Sequence, residues 1–194
     1  MDEYELLVEA HRPAMKPVLA KLVRLLEAHK VRYVIGGANA LSLYVRPRMT
    51  IDVDAFVDPA EKERLEQLLV SHFQLIRIGQ FHSKFEDADV EIDILYAGAS
   101  AEDFALSSAR DAVILGTKVK APSPEALLWL YLASEKPINF ADGLEILRTR
   151  PETEALVRRE LERHEPDLIA KLEKMVHTAR QPVPSYEESR ARRS

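Results

Sequence analysis

From Thr50 to Val57 the chain runs Thr-Ile-Asp-Val-Asp-Ala-Phe-Val, an alternation that suits a β-strand and little else. Side chains on a strand alternate with period 2, so Ile51, Val53 and Ala55 share one face while Thr50, Asp52 and Asp54 share the other. The apolar face belongs on a core, and the polar face looks into a cleft. Two carboxylates side by side on one strand face repel each other, and a cation is what keeps such a pair together. Standing alone, an Asp-x-Asp strand is more often a solvated face or a sheet edge guarded by charge. The neighbouring segments decide between these readings.

The chain has no cysteine, which excludes disulfides, thiolate metal sites and cysteine nucleophiles. His72, His82, His164 and His177 are scattered without ligand spacing, so a metal would sit on carboxylate oxygen. The formal net charge of −5 argues against broad nucleic-acid binding, although a local basic patch remains compatible with RNA. The N-terminus is acidic where a secretory signal would be basic and then apolar, and no run is long enough to span a bilayer; a cytoplasmic protein with no membrane partner is expected. With 194 residues, 46% of them hydrophobic, one substantial domain plus an extension is expected.

Residues 13–30 place Val18, Leu19, Leu22, Val23, Leu25 and Leu26 at helical spacing. A short strand over residues 31–35, the pair Gly36-Gly37 and a helix over 38–45 follow. Glycines at that turn let the backbone approach a phosphate closely. Asp58-Pro59 is an N-cap with proline at the first helical position, leading a helix over 61–72. Strands are expected at 74–78, 82–86 and 90–95, paired antiparallel because their loops are too short for crossovers. A helix at 101–109 precedes a hairpin of 112–115 and 118–121 joined through Gly116-Thr117. Ser123-Pro124-Glu125 caps a run of helices reaching about residue 180, in which Trp129 and Tyr131 are expected in the core. The expected organisation is an α/β portion at 1–122, a helical portion at 123–180 and an unstructured tail at 181–194.

Within 90–95, Ile92 and Ile94 belong to the core face, and Asp93 shares the polar face with Glu91. Asp93 is thereby a third carboxylate able to complete a cage for hard cations or to act as general base on a hydroxyl. Arg48 and Thr50 are placed either to contact phosphate or to orient Asp52 and Asp54; an ion pair between Arg48 and an aspartate is the alternative.

Taken together, Gly36-Gly37, Arg48-x-Thr50-x-Asp52-x-Asp54 and a hydrophobic-Asp93-hydrophobic triplet resemble the motifs of the nucleotidyltransferase superfamily, the polymerase-beta-like fold. The Arg-x-Thr-x-Asp-x-Asp form is most similar to the minimal nucleotidyltransferases that include the AbiEii-type toxins of toxin–antitoxin systems. The resemblance covers about residues 31–147. It implies an α/β (α+β) class, a mixed sheet flanked by helices with a helical C-terminal portion. It also implies that Gly36 and Gly37 hold a nucleoside triphosphate, that Asp52 and Asp54 bind Mg²⁺, with two ions expected, and that Asp93 helps activate the acceptor. The acceptors it allows are a tRNA end, a protein side chain or a small molecule such as an aminoglycoside, and a toxin would bring an antitoxin partner. Relatives in that branch carry a lysine on the helix after Pro-Glu and then a Lys-Asp-x-x-Asp stretch. Here Tyr131 stands at the lysine, and of the stretch only Asp142 matches; Lys118, Lys120 and Lys136 are the cations available to stand in. The competing expectation is a non-catalytic nucleotide-binding or interaction module that keeps the fold.

Overall fold

The computed structural model describes residues 3–182, so all but the start of the expected tail lies outside the described residues. The described residues begin with a helix that the acidic N-terminus did not suggest, α1 (Glu3–His11), which buries Tyr4 and Val8. The apolar spacing that follows becomes α2 (Met15–Ala28), with Leu19, Leu22 and Leu26 fully buried against the sheet. Each such side chain contributes about 1.5–3 kcal/mol by leaving water.

β1 (Tyr33–Ile35) runs into the glycine pair and then into α3 (Gly37–Leu41), which ends short of the expected Val45. A local hydrogen bond competes with the helix there, Ser42 Oγ donating to the Asn39 carbonyl at 2.7 Å, and the long-range bond from Tyr44 Oη to the Pro122 carbonyl at 2.6 Å anchors the segment that follows. β2 (Asp52–Val57) shows the expected alternation, with Val53, Ala55 and Val57 buried and the residues between them partly exposed. Ile51 departs from it. The strand starts one residue later, and Ile51 is 50% exposed rather than in the core. Asp58 caps as expected, accepting from the Ala60 amide at 3.0 Å, but Pro59–Glu61 forms a tighter 3-10 turn before α4 (Lys62–Val70).

β3 (Gln74–Ile78), β4 (His82–Asp87) and β5 (Val90–Tyr96) form the expected antiparallel meander. The β4–β5 turn is made by Ala88 and Asp89, both at positive φ (49° and 63°), the geometry of a two-residue hairpin loop. The sheet order is β1-β2-β5-β4-β3, and β5 joins β2 in parallel while every other neighbouring pair is antiparallel. The sheet is therefore mixed, as expected.

α5 (Ser100–Ser107) leads to β6 (Arg110–Ile114) and β7 (Thr117–Ala121), a separate two-stranded hairpin. Its turn is Leu115-Gly116, not Gly116-Thr117, because Ile114 pairs with Thr117 and both loop residues take positive φ. Ser123 then caps α6 (Pro124–Ala133) by accepting from the Ala126 amide at 3.1 Å. α7 (Pro137–Thr149), α8 (Thr153–His164) and α9 (Ile169–Arg180) complete the described chain.

Two apolar cores result. One lies between α2, the sheet and the β6–β7 hairpin; the other gathers α5 to α9 around α6, where Trp129 is 1% and Tyr131 3% exposed. The opposite face of β2 and β5, carrying the aspartates, meets the helical side of the molecule. Among the described residues no helix is long and apolar enough to cross a membrane.

Candidate active site

The parallel pairing of β2 with β5 places Asp52 opposite Glu91 and Asp54 opposite Asp93, so both strands turn carboxylates to one face. One oxygen from each of Asp52, Asp54 and Asp93 falls within 4.8 Å of the others. Lys84 Nζ comes within 3.5 Å of Asp93 Oδ1, but among the described residues no basic side chain forms an ion pair with Asp52 or Asp54. Burial, and then the negative charges of Asp52 and Asp93, push the Asp54 carboxyl up to about 7, against the smaller opposing pull of Lys136 and Arg48. A cluster of hard carboxylate oxygens that repel one another this strongly fits divalent cations that prefer oxygen ligands.

Thr50 Oγ1 donates to Asp52 Oδ1, so the hydroxyl is within reach of the carboxylate that it is expected either to orient or to join in contacting phosphate. A second support was invisible in the sequence. Asn39 on α3 is fully buried; its Nδ2 donates to the Asp52 carbonyl at 2.9 Å, and its Oδ1 accepts from Tyr4 Oη at 2.8 Å. The only available signal was a lone amide inside the apolar run Ala38 to Leu41.

The glycine pair packs directly on the carboxylates. The Gly36 amide donates to the Asp54 carbonyl at 2.9 Å, extending the β1–β2 ladder, and a Cβ at Gly36 would strike the Phe56 ring. Gly37 has φ +55°, and a Cβ there would overlap Asp54 Oδ2 and lie 2.9 Å from Asp54 Cγ. α3 is a helix of five residues, so its amides add less positive potential than a longer helix would.

Beside these groups opens a cleft of about 440 Å³, within the range of small-ligand pockets. Gly37, Arg48, Thr50, Asp52, Asp54, Tyr131 and Lys136 line it, together with an apolar wall that includes Phe56, Leu95, Leu127 and Leu130. Gly36 and Asp93 are not in the lining; Asp93 is 8% exposed and meets the other two carboxylates from the β5 side.

Arg48 is held by Asp142. Its Nε donates to Asp142 Oδ1 at 3.0 Å and its Nη2 to Oδ2 at 2.7 Å, a two-pronged pair with Asp142 only 4% exposed. The pairing raises the guanidinium pKa through the Asp142 hydrogen bonds. Arg48→Ala would strand the Asp142 charge, and a loss of about 3 kcal/mol is expected, the lower end for breaking a buried pair because the Arg48 side chain is one-third exposed. Urea denaturation of Arg48→Ala, Asp142→Ala and the double variant measures it; the double variant should lose less than the sum of the two single losses.

Tyr131, which occupies the position of the lysine in the resemblance, donates from Oη to the Gly37 carbonyl at 3.1 Å, tying α6 to the glycine turn. Burial raises its pKa well above the usual phenol value. Of the three stand-in lysines, only Lys136 lines the cleft, and no carboxylate pairs with its Nζ among the described residues. Lys120 is paired with Asp111 at 2.6 Å on the β6–β7 hairpin.

No family model matches the sequence, and no curated protein matches it significantly. Solved structures do resemble the fold. The antibiotic-resistance factor ANT(2'')-Ia superposes in its solution structure with a TM-score of 0.60 at 19% identity, over 86% of this chain and 98% of that one. In its crystal structure with adenylyl-2''-tobramycin the TM-score is 0.59 at 19% identity, over 76% of this chain and 97% of that one. An antigenic nucleotidyltransferase-like protein from Paracoccidioides brasiliensis gives 0.50 at 18% identity, over 84% of this chain and 93% of that one. The chain has the polymerase-beta-like nucleotidyltransferase fold.

Proposed function

We propose that this chain transfers a nucleoside monophosphate from a nucleoside triphosphate to an acceptor hydroxyl. The observation that supports it best is the convergence of Asp52, Asp54 and Asp93 beside a cleft lined by Gly37 and Lys136. In this reading Asp52 and Asp54 would hold Mg²⁺, two ions with Asp93 completing the set, and the ions would supply positive charge to offset that of the phosphates. Gly36 and Gly37 let the backbone approach the triphosphate, Thr50 keeps Asp52 in place, and Lys136 pairs with a phosphate oxygen. Arg48, clamped by Asp142, lends positive charge to the cleft floor. The acceptor hydroxyl oxygen bonds to the α-phosphorus, the bond from that phosphorus to the β-bridging oxygen breaks, pyrophosphate leaves, and the hydroxyl proton passes to Asp93.

Among acceptors, a small polyhydroxylated amine is the preferred reading over tRNA or a protein side chain. The fold match extends over nearly all of ANT(2'')-Ia, a protein seen with adenylyl-2''-tobramycin, and the net charge of −5 disfavours a phosphate backbone as partner. A cytoplasmic toxin with an antitoxin partner keeps the support of the Arg48 to Asp54 spacing.

The test is incubation of the protein with Mg²⁺ and each α-labelled NTP, with tobramycin or total tRNA as acceptor. Label should move to an acceptor, and Asp52→Ala should stop it. Nucleotide binding without any transfer would favour the non-catalytic module instead. Lys136→Ala should raise KM for the NTP about tenfold or more, as loss of a charge-assisted hydrogen bond does, with a smaller effect on kcat and near-normal behaviour in Lys136→Arg. An unchanged KM would remove Lys136 from the phosphate site.

A further inference from the structure

The face that carries the aspartates continues past Asp93 onto strands that the proposed reaction has not used. Lys84 on β4 pairs in register with Asp93, His82 with Leu95, and Arg77 on β3 with Lys84. Three side chains there form a chain. His82 Nε2 lies 2.7 Å from Asp93 Oδ1, and Arg77 Nη2 lies 2.9 Å from His82 Nδ1. A guanidinium has donors and no acceptor, so Nδ1 must accept from Arg77. The ring is then neutral with its one proton on Nε2, and that proton is donated to Asp93 Oδ1. Lys84 Nζ approaches the same oxygen at 3.5 Å while its closer partner is Glu91 at 2.6 Å. Among the described residues nothing donates to Asp93 Oδ2.

We propose that His82 is a positioning residue for Asp93, with Arg77 setting its tautomer. His82 ties down one carboxylate oxygen and fixes the rotation of the group, so that Oδ2 is the oxygen available to a cation shared with Asp52 and Asp54, or to the acceptor proton. This is the arrangement by which an outer partner orients a metal-binding carboxylate. An imidazole whose only task was to fill space would need neither a donor aimed at Asp93 nor an arginine behind it. The proposal rests on the reading of Asp52, Asp54 and Asp93 as a cation site.

The experiment uses the full chain with Mn²⁺ alone, followed by electron paramagnetic resonance, together with the transfer assay. Wild type should bind Mn²⁺ and Asp52→Asn should not. His82→Ala should weaken Mn²⁺ binding about tenfold and lower kcat about 10- to 100-fold, the usual size for loss of such an outer partner, with KM for the NTP within about twofold. His82→Gln, whose amide can donate to the same oxygen, should recover part of both. Arg77→Ala should show a smaller loss of the same kind. If Asp52→Asn abolishes Mn²⁺ binding while His82→Ala matches wild type in both readouts, the positioning role is wrong and the cation site stands. If wild type itself binds no Mn²⁺, the cation site falls and the positioning role with it.

Discussion

Asp54→Asn is expected to make the cation-free protein more stable while removing transfer. Burial, and then the charges of Asp52 and Asp93, push the Asp54 carboxyl up from its ordinary value of 3.8 to about 7 in the folded chain. Between those two values the native state binds more protons than the unfolded state, so stability falls as pH rises from about 4 to about 7. A group raised in this way is a carboxylate that the fold tolerates at neutral pH only with strain. In EDTA, the melting temperature of the wild type should therefore drop between pH 5 and pH 8, and Mg²⁺ should restore it at pH 8. Asp54→Asn keeps the shape without the charge. It should melt higher than wild type at pH 8 in EDTA, show a weaker pH dependence across that window, and gain little from Mg²⁺. Its transfer rate should fall by about a thousandfold or more, since several kcal/mol of charge stabilisation depend on the ligand set and each 1.36 kcal/mol is tenfold. A variant that melted lower than wild type in EDTA and still responded fully to Mg²⁺ would contradict the assignment of Asp54.

Gly37→Ala should be nearly as damaging, for a reason that no charge argument contains. At φ +55° an alanine is strained by about 1–2 kcal/mol, and its Cβ would occupy the space of Asp54 Oδ2. Either the turn moves and the Tyr131 bond to the Gly37 carbonyl is lost, or Asp54 rotates away from Asp52 and Asp93. Both routes break the same site. Transfer should fall by about 100-fold, in keeping with the sensitivity of catalysis to misplacement of about 1 Å, and stability should drop with it. Gly98→Ala is the control: a Cβ there meets only the Tyr96 carbonyl oxygen at 3.9 Å, so stability within about 0.5 kcal/mol of wild type and unchanged transfer are expected. In the Asp54→Ala background, Gly37→Ala should destabilise less than in wild type, because the overlapping carboxylate is gone. Equal losses in both backgrounds would show that the collision is not the cause.

These two residues show how far the sequence reaches. The alternation through Asp52, Val53, Asp54 and Ala55 sets which side chains share a face, and the fold keeps that alternation from Asp52 onward. The antiparallel meander from Gln74 to Tyr96 was legible because short loops leave one pairing. Where the expected boundaries moved, local interactions moved them: the Ser42 hydrogen bond at the end of α3, and the Ile114–Thr117 pairing with positive φ at Leu115 and Gly116 in the hairpin. Helix α1 escaped because its apolar face is narrow and depends on the rest of the fold to cover Tyr4 and Val8.

By itself, the sequence determined faces, turns and caps: Asp52 and Asp54 on one side of a strand, Asp93 on one side of another, glycines before a helix, Ser123 at a helix start. These are local, because strand period and capping are settled within a few residues. The tertiary structure alone decided that β2 and β5 lie side by side in parallel with Asp54 opposite Asp93. That register crosses an intervening helix and two strands, and a slip of one residue would have turned Asp93 into the core. It also decided that Arg48 meets Asp142, that Tyr131 holds the Gly37 carbonyl, and that His82 rather than any other histidine reaches Asp93. Partners so far apart along the chain are chosen by how the sheet and helices pack, and no short-range pattern encodes that choice.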